Sequence, residues 1–304
     1  MEYILETSGL TKIYGKTKVV NHIDAHIKQG DIYGLIGRNG AGKTTFLKMI
    51  SGLAIPSEGD FTLFGSNGKE RTALMNRIGV LVEAPGVYPK LSALENLKIK
   101  CIAMGVREKE TPKQILKTVG LDNVGKKAVG KFSLGMKQRL GIGLAMVGNP
   151  DIIILDEPIN GLDPRGIAEV RETIEKLNKE QGITFIISSH ILEELSKIAT
   201  SYGIIHNGTL LQELTREELM KKCSNRIELK TNDITQTCTV LEDMNITDYK
   251  VVDHDVIHIF QNLQDVGEIT LELAKHQIKT LGISVKNESL EDYYFNITGG
   301  KIDD

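Results

Sequence analysis

Short apolar runs alternate with amphipathic segments along the first two thirds of the chain. Three of these runs predict strands buried on both faces, because they are continuous rather than alternating. They are Ile32–Gly37, Asp151–Pro158 and Ile183–Ser189. Helical patterns follow the first run, from Lys43 to about Leu53, and the second, over about residues 164–180. This alternation predicts an α/β fold with a mostly parallel sheet that helices cover on both faces.

The segments around this core have weaker patterns. Two short strands are predicted near the start of the chain, at Tyr3–Thr7 and Val19–Ile27. The segment of about residues 85–150 is helical in pattern. Its Ser92 and Glu95 have the spacing of a capping box, in which each side chain satisfies an unpaired amide at the helix start. We expect this segment to form a helical subdomain attached to the core.

The pattern changes after about residue 225. Strands and helices there follow the order β-α-β-β-α-β, which is that of a small ferredoxin-like α+β domain. The predicted elements are strand Ile227–Leu229, helix 234–243, strands Tyr249–Val252 and Val256–Phe260, helix 265–278 and strand Ile283–Lys286. A last helix is predicted to begin at Ser289, with Asp292 completing another capping box.

The charge distribution supports a boundary in the same region. Residues 216–304 carry 10 Lys and Arg against 17 Asp and Glu, a balance of −7. Residues 1–215 carry 27 against 23, a balance of +4. Such a break in composition is typical of a domain boundary. The sequence therefore predicts a first domain at residues 1–220 and a C-terminal accessory domain at residues 225–304.

The composition excludes some classes of protein. A net charge of −3 argues against a dedicated nucleic-acid-binding protein, so no nucleic-acid partner is expected. No stretch of the sequence reaches the roughly 18–20 apolar residues of a membrane-spanning helix. The start of the sequence also lacks the pattern of a signal peptide. We expect a cytoplasmic chain that reaches a membrane only by docking onto a separate protein.

A glycine-rich loop between the first buried strand and its helix carries the strongest motif. Its sequence, GRNGAGKTT, fits the pattern G-x-x-x-x-G-K-[ST]. It consists of Gly37, Arg38, Asn39, Gly40, Ala41, Gly42, Lys43, Thr44 and Thr45. The glycines let backbone amides turn toward phosphate oxygens, and the helix start adds the positive end of its dipole. Lys43 supplies a charge for the β- and γ-phosphates, and Thr44 offers its hydroxyl to Mg²⁺.

Two adjacent carboxylates end the second buried strand. A buried strand can hold Asp156 rigidly, where it would orient Mg²⁺ through water. Glu157, the next residue, would polarise the attacking water. Together with the glycine-rich loop, these residues indicate a P-loop NTPase. They leave open whether the chain is a kinase, a GTPase or an ATPase.

The segment FSLGMKQRL, Phe132–Leu140, narrows this choice. Ser133 is a favourable N-cap, and Gly135 lets an amide approach closely, so a helix start here makes an anion site. The segment resembles the signature of the ABC ATPase family, usually written LSGGQ. The resemblance implies that Ser133 and Gly135 face the γ-phosphate held by a second copy of the chain.

Three further matches extend this resemblance over about residues 3–215. Asn160–Asp163 resembles the D-loop, which touches the partner subunit. His190 follows an apolar strand and resembles the switch histidine that contacts the γ-phosphate. Tyr14 occupies the place of the aromatic residue that stacks on adenine. The resemblance implies a P-loop ABC ATPase core that binds ATP and Mg²⁺ and hydrolyses ATP as a homodimer.

The sequence departs from the family pattern at two places. Leu134 and Met136 replace the first Gly and the Gln of the signature, but Ser133 and Gly135 remain, so the anion site should survive. Glu83 stands where the family usually has the Q-loop glutamine, which contacts Mg²⁺ and water and senses the membrane partner. A carboxylate can still ligate Mg²⁺, so Glu83 is expected to act in both metal binding and catalysis. Our hypothesis is that Glu83 makes nucleotide closure depend more on Mg²⁺ or on docking.

Three features resemble those of the ABC ATPase subgroup that serves bacitracin and lantibiotic export. They are Glu83, the signature sequence SLGMKQR and the ending Ser289–Gly300. This resemblance implies a subunit that powers the export of a membrane-active peptide antibiotic. It would lie at the cytoplasmic face of the cell membrane and act through separate transmembrane permease subunits. Two alternatives stay open, a motor for another substrate and a soluble ABC ATPase acting on ribosomes or DNA. The sequence contains one glycine-rich loop of this kind, no heptad run and no basic patch, which argues against the soluble ATPase.

Overall fold

The chain folds as two compact units, residues 1–216 and 217–304. The computed structural model describes residues 3–107, 111–223, 225–286 and 290–299. Within those ranges, no helix is long and apolar enough to cross a membrane.

Strands and helices alternate along most of the first unit. Its strands in the described residues are β1 (Tyr3–Tyr14), β2 (Thr17–Ile23), β3 (His26–Lys28), β4 (Ile32–Ile36), β5 (Glu58–Leu63), β6 (Ile78–Leu81), β7 (Ile152–Asp156), β8 (Thr184–Ser189), β9 (Ser201–His206) and β10 (Thr209–Thr215). Its helices are α1 (Lys43–Ile50), α2 (Gly68–Leu74), α3 (Ala93–Ala103), α4 (Thr111–Thr118), α5 (Leu134–Ala145), α6 (Pro164–Gln181) and α7 (Leu192–Ser196). The boundary between the units falls within α8 (Arg216–Lys222).

A six-stranded sheet forms the centre of this unit, in the order β10-β9-β4-β8-β7-β6. Its neighbouring strands run parallel except β10, which is antiparallel to β9 at one edge. Every residue of β4, β7 and β8 is buried. This confirms the three apolar runs as strands covered on both faces. Because parallel strands end at the same edge of a sheet, the segments after β4, β6, β7 and β8 lie side by side.

A smaller antiparallel sheet contains β2, β1 and β3, with β5 paired to β1. Here the structure differs from the sequence prediction. Strand β1 is longer than predicted and continues to Tyr14. The predicted strand Val19–Ile27 is two strands, because the regular pairing with β1 is interrupted at residues 24 and 25, between β2 and β3. His22 has a left-handed backbone with φ of 53°, and the Asp24 carboxylate accepts a 2.6 Å hydrogen bond from the Gly9 amide.

Helix α1 shares one hydrophobic core with both sheets. Its Phe46, Leu47, Met49 and Ile50 are fully buried, in a cluster with residues of β1, β4 and β7. Burying a side chain of this size stabilises a fold by about 1.5–3 kcal/mol. Helix α1 is therefore firmly anchored, and so is the glycine-rich loop that precedes it.

Helices α3, α4 and α5 lie in the segment for which the sequence predicts helices. Ser92 caps α3 in the predicted capping box. Its Oγ accepts from the Glu95 amide at 3.3 Å, and the Glu95 carboxylate accepts from the Ser92 amide at 2.7 Å. Ser133 caps α5, since its Oγ accepts from the Met136 amide at 3.3 Å.

The second unit is an antiparallel sheet packed against helices. In the described residues its elements are β11 (Arg226–Thr231), α9 (Ile234–Asp243), β12 (Tyr249–Asp253), β13 (Val256–Ile259), α10 (Val266–Lys275), β14 (Thr280–Lys286) and α11 (Leu290–Thr298). The strand order is β12-β13-β11-β14. Ile227 and Leu229 of β11 share a core with Leu241 of α9 and Leu273 of α10. Ser289, the predicted start of the last helix, lies outside the described residues.

Candidate nucleotide-binding site

Most of the predicted site residues follow the ends of four neighbouring strands. The phosphate loop, residues 37–45, follows β4, and Glu83 follows β6. Asp156 ends β7 with Glu157 directly after it, and His190 follows β8. Since β4, β8, β7 and β6 are neighbours in the parallel sheet, residues far apart in sequence meet at one edge.

Two glycines of the phosphate loop have no room for a side chain. Gly42 has a φ of 106°, and a Cβ there would lie 2.7 Å from the Val19 carbonyl oxygen. A Cβ on Gly37 would lie 2.6 Å from the Ile205 carbonyl oxygen. Any larger residue would push the loop away from β2 and β9. The loop is thus pressed against the sheet where α1 begins, and the first amides of that helix lack intrahelical acceptors.

Lys43 is buried at the centre of the loop, with 5% of its surface exposed. Its Nζ donates to the carbonyl oxygens of Gly37 at 2.6 Å and Arg38 at 3.3 Å. The same Nζ lies 3.1 Å from Glu157 Oε1. A positive charge therefore lies where the loop, the helix start and an acidic side chain converge.

Asp156 is held through both of its carboxylate oxygens. Thr44 Oγ1 donates to Oδ2 at 2.8 Å, and Ser188 Oγ donates to Oδ1 at 2.6 Å. Ser188 also accepts a 2.9 Å hydrogen bond from the Glu157 amide. Asp156 pairs with Ser188 in the register of β7 and β8. The motifs assign Ser188 no role of its own, and its contact with Asp156 is revealed by the register of the two folded strands.

Glu157 lies between two cationic or protonatable partners. Its Oε2 is 2.8 Å from His190 Nδ1, and its Oε1 faces Lys43. Oε1 is buried and accepts no hydrogen bond from the described residues, so its contact with Lys43 is electrostatic only. The backbone of Glu157 is left-handed, with φ of 49°, a conformation that non-glycine residues adopt at a cost of order 1 kcal/mol or more. The Ser188 contact and the neighbouring strands hold it there.

Glu83 contacts a residue that sequence analysis did not single out. Its Oε1 lies 2.6 Å from Lys48 Nζ, and its backbone is left-handed with φ of 65°. This hydrogen bond raises the pKa of the Lys48 ammonium above its ordinary value. Lys48 lies four residues after Thr44 on α1, so both side chains project from one face of that helix.

Ser133 and Gly135 lie in a separate cavity of about 450 Å³. The starts of α5 and α6 both line it, and a Cβ on Gly135 would lie 3.3 Å from the Gly166 Cα. Asp163 caps α6 by accepting from the Gly166 amide at 3.0 Å. Of the described residues that line this cavity, none belongs to the phosphate loop. One chain therefore presents two separate groups of the predicted site residues.

Tyr14 lies at the end of β1 and is 51% exposed. Lys12 Nζ is 5.1 Å from the centroid of the Tyr14 ring, within cation–π range. The same ammonium donates to the Ile55 carbonyl oxygen at 2.6 Å. The ring thus has an orienting contact and keeps about half of its surface open.

The sequence model of a family described as ABC transporter matches residues 20–160. The chain is 43% identical over 302 residues to the bacitracin transport ATP-binding protein BcrA of Bacillus licheniformis, covering 99% of each. It is 43% identical over 210 residues to the lantibiotic transport ATP-binding protein SrtF of Streptococcus pyogenes, covering 69% of this chain and 90% of SrtF. Among solved structures, cbiO1 from Clostridium perfringens, part of the ABC transporter complex cbiONQ, has a TM-score of 0.67 at 25% identity, over 73% of this chain and 92% of cbiO1.

Proposed function

This chain belongs to the family of ABC transporter ATP-binding proteins, and from that premise we propose that it powers the export of a membrane-active peptide antibiotic. It is an ABC ATPase that binds nucleotide. The similarity to BcrA over 99% of both chains supports a substrate of the bacitracin or lantibiotic type. The observation that carries the hydrolytic role is the cluster around Asp156, in which Lys43, Thr44 and Glu157 meet.

In this proposal the phosphate loop binds the phosphates of ATP. Lys43 Nζ donates to two neutral carbonyl oxygens of the loop. Phosphate oxygens are stronger acceptors for an ammonium, because both partners are charged, so they would replace these carbonyls. Arg38, Asn39 and Gly40 are exposed at the crest of the loop, where they can close over a nucleotide. Tyr14 would stack on the adenine ring.

The donors around Asp156 fit Mg²⁺. The Thr44 hydroxyl and the Asp156 carboxylate lie 2.8 Å apart, and both are hard oxygen donors of the kind that Mg²⁺ prefers. These two residues would hold the ion, with Glu83 as a third candidate ligand. Bound Mg²⁺ would neutralise charge that develops on the β- and γ-phosphates. Ser188 keeps the Asp156 carboxylate in one orientation for this task.

Glu157 and His190 are the pair that we assign to hydrolysis. When Lys43 moves onto phosphate, Glu157 Oε1 loses its electrostatic contact and becomes available to accept a proton from water. His190 Nδ1 contacts the other carboxylate oxygen. Both ring nitrogens donate when the imidazole is protonated, so His190 can bridge Glu157 and a γ-phosphate oxygen. The ring would thereby orient the base against the phosphate that is attacked.

A second copy of the chain would complete each site. Ser133 and Gly135 form an anion site at the start of α5, but line a cavity without phosphate-loop residues. We infer that the α5 start of one copy contacts the γ-phosphate bound by the other, with Asn160–Asp163 between them. Closing and opening of this homodimer would act on separate transmembrane permease subunits, and the chain would then lie at the cytoplasmic face of the membrane.

The hydrolytic part of this proposal is tested with the purified full-length chain. We expect Mg²⁺-dependent ATPase activity whose specific rate rises with protein concentration, as required for an active dimer. Glu157→Gln should abolish turnover, retain ATP binding, and shift the chain to dimer in size-exclusion chromatography with ATP. A specific rate independent of concentration would contradict the shared site.

The substrate is tested in the native host. Susceptibility to bacitracin, to a lantibiotic and to a non-peptide antibiotic is compared among strains with the chain intact, deleted or carrying Glu157→Gln. We expect deletion and Glu157→Gln to increase susceptibility to a peptide antibiotic alike, and to leave susceptibility to the non-peptide control unchanged. If neither peptide distinguishes the strains although the ATPase is active, the motor assignment stands and the peptide substrate is wrong.

A further inference from the structure

Lys48 and Glu83 form an ion pair beside the proposed metal site. Lys48 Nζ lies 2.6 Å from Glu83 Oε1. One helical turn earlier on α1, Thr44 donates to Asp156 at 2.8 Å. Residues four apart on a helix are neighbours on one face, with Cβ atoms about 5–6 Å apart. Two contacts therefore connect α1, side by side, to the ends of β6 and β7.

The pair balances a charge that would otherwise oppose nucleotide binding. Glu83 adds a carboxylate to a site that already contains Asp156 and Glu157, and all three repel phosphate. Lys48 offsets the charge of Glu83 at a distance of 2.6 Å. It also engages a carboxylate oxygen of Glu83 that a cation would otherwise bind.

This ion pair is weak enough to break when a stronger partner is present. The Glu83 side chain is 66% exposed and the Lys48 side chain 32% exposed, and exposed pairs contribute little because water screens them. The left-handed backbone of Glu83 adds strain that a rearrangement of this loop would relieve. A divalent cation carries twice the charge of an ammonium and prefers carboxylate oxygens.

We propose that Lys48 is a positioning residue that holds the Glu83 carboxylate away from the divalent cation. When the cation binds together with the nucleotide, it displaces Lys48 from that carboxylate. The proposal rests on the function proposed for this site and deepens it. Lys48 and the cation then compete for one carboxylate. Removing Lys48 frees Glu83 and tightens cation binding, and this effect requires Glu83.

The test measures cation affinity without turnover. The probe is a fluorescent, non-hydrolysable ATP analogue at a fixed low concentration, and the readout is the free Mg²⁺ concentration at half-maximal binding to the full-length chain. We expect Lys48→Met to lower this midpoint by about 1.5- to 5-fold, the range that an exposed ion pair supports. Lys48→Arg preserves a positively charged side chain beside Glu83, so its Mg²⁺ midpoint should equal that of the wild type.

The double variant separates two explanations. If Lys48 acted by repelling the cation directly, Lys48→Met would lower the midpoint equally in wild-type and Glu83→Gln backgrounds, and the proposal would be overturned. We expect the effect of Lys48→Met to disappear in the Glu83→Gln background. An unchanged midpoint in the single variant Lys48→Met would overturn the proposal as well.

A matched control removes the same charge elsewhere. Lys275 in α10 forms a 2.7 Å ion pair with Glu272, so Lys275→Met should leave the midpoint unchanged. Thermal unfolding verifies that each variant is folded, and Lys48→Gln replaces Lys48→Met if the latter is not. If the wild-type chain shows no Mg²⁺-dependent nucleotide binding at all, the proposed function fails, which is a different result from failure of the Lys48 proposal alone.

Discussion

Ser188→Ala removes a side chain that holds the Asp156 carboxylate and the Glu157 backbone in the proposed hydrolysis site. Ser188 is fully buried at the end of β8. Its Oγ donates to Asp156 Oδ1 at 2.6 Å and accepts from the Glu157 amide at 2.9 Å. The alanine variant leaves one charged acceptor and one partly buried amide without these partners, while the phosphate loop is untouched.

The size of the effect follows from these two hydrogen bonds. A hydrogen bond to a charged group contributes about 1.5–3 kcal/mol, and a buried amide left unsatisfied costs about 1–3 kcal/mol. If about 1.4–2.8 kcal/mol of this loss appears in the transition state, kcat falls by about 10- to 100-fold. The KM for ATP should change little, because Lys43 and the loop amides bind the phosphates.

The neighbouring Ser189 provides a matched control. Ser189 is equally buried, but within the described residues its Oγ bonds locally, accepting from the Ile191 amide at 2.9 Å and donating to the Ile191 carbonyl oxygen at 3.3 Å. Steady-state ATPase kinetics and urea unfolding are measured for Ser188→Ala and Ser189→Ala. Both variants should lose stability, but only Ser188→Ala should lose most of its kcat.

The difference in kcat and KM between the two alanine variants tests whether Ser188 positions the site. Equal values of kcat for the two alanine variants would refute a positioning role for Ser188. A rise in the KM of Ser188→Ala without loss of kcat would also refute it, since the defect would then lie in nucleotide binding. Ser188→Thr, which preserves the hydroxyl, should recover a large part of kcat if the methyl group is accommodated.

Three further variants test other parts of the structure. Gly42→Ala places a Cβ against a carbonyl oxygen at a φ of 106°, so fluorescent ATP binding should weaken by at least about tenfold, as expected for roughly 1.4 kcal/mol of strain. Gly79→Ala forces a Cβ against the Ala145 carbonyl oxygen, and urea unfolding should show that the free energy of unfolding falls by about 1–3 kcal/mol. Hydrogen bonds from Ser92 lower the pKa of Glu95. The Glu95 carboxylate therefore stabilises the fold at pH values above its ordinary pKa, and this stabilisation is lost as the pH falls through the lowered pKa of the folded state. The stability difference between wild type and Glu95→Gln should therefore shrink between about pH 7 and about pH 3.

The elements that the sequence predicts well are those with one dominant local cause. The three central strands are continuous apolar runs, and all their residues are buried on both faces. Helix α6 begins at Pro164 after the N-cap Asp163 and ends at Gln181, which Gly182 follows in a left-handed conformation. These are standard start and stop signals. In these segments local preference and tertiary packing favour the same structure.

Strands β9 and β10 are elements that the apolar pattern does not reveal. Most residues of β10 are only half-buried, because it is the edge strand of the sheet. The signal is instead the turn Asn207–Gly208, where both residues have positive φ, 46° and 78°. An Asn-Gly pair between two strands is a strong hairpin signal. The hairpin was thus present in the sequence as turn chemistry rather than as periodicity.

The motifs predict which residues meet in the site, but not what holds them. The partners Ser188 and Lys48 are absent from the predicted site because they act through other residues. Ser188 reaches Asp156 through the register of two strands, and Lys48 reaches Glu83 across a separation of 35 residues. Neither relation has a local pattern in a single sequence. Supporting residues of this kind are found only when the strands and α1 are in place.

The two lysines of α1 explain how the site tolerates three carboxylates. Lys43 lies 3.1 Å from Glu157 and Lys48 lies 2.6 Å from Glu83. Within the described part of the chain, the Asp156 carboxylate accepts its hydrogen bonds from neutral hydroxyls. When phosphates draw Lys43 away from Glu157, the local negative charge rises, and a divalent cation at Asp156 would offset it. Nucleotide and cation binding are then coupled through the same few charges. The sequence resemblance implies that Glu83 takes the place of an uncharged glutamine, so we expect this coupling to be stronger here than in relatives with that glutamine.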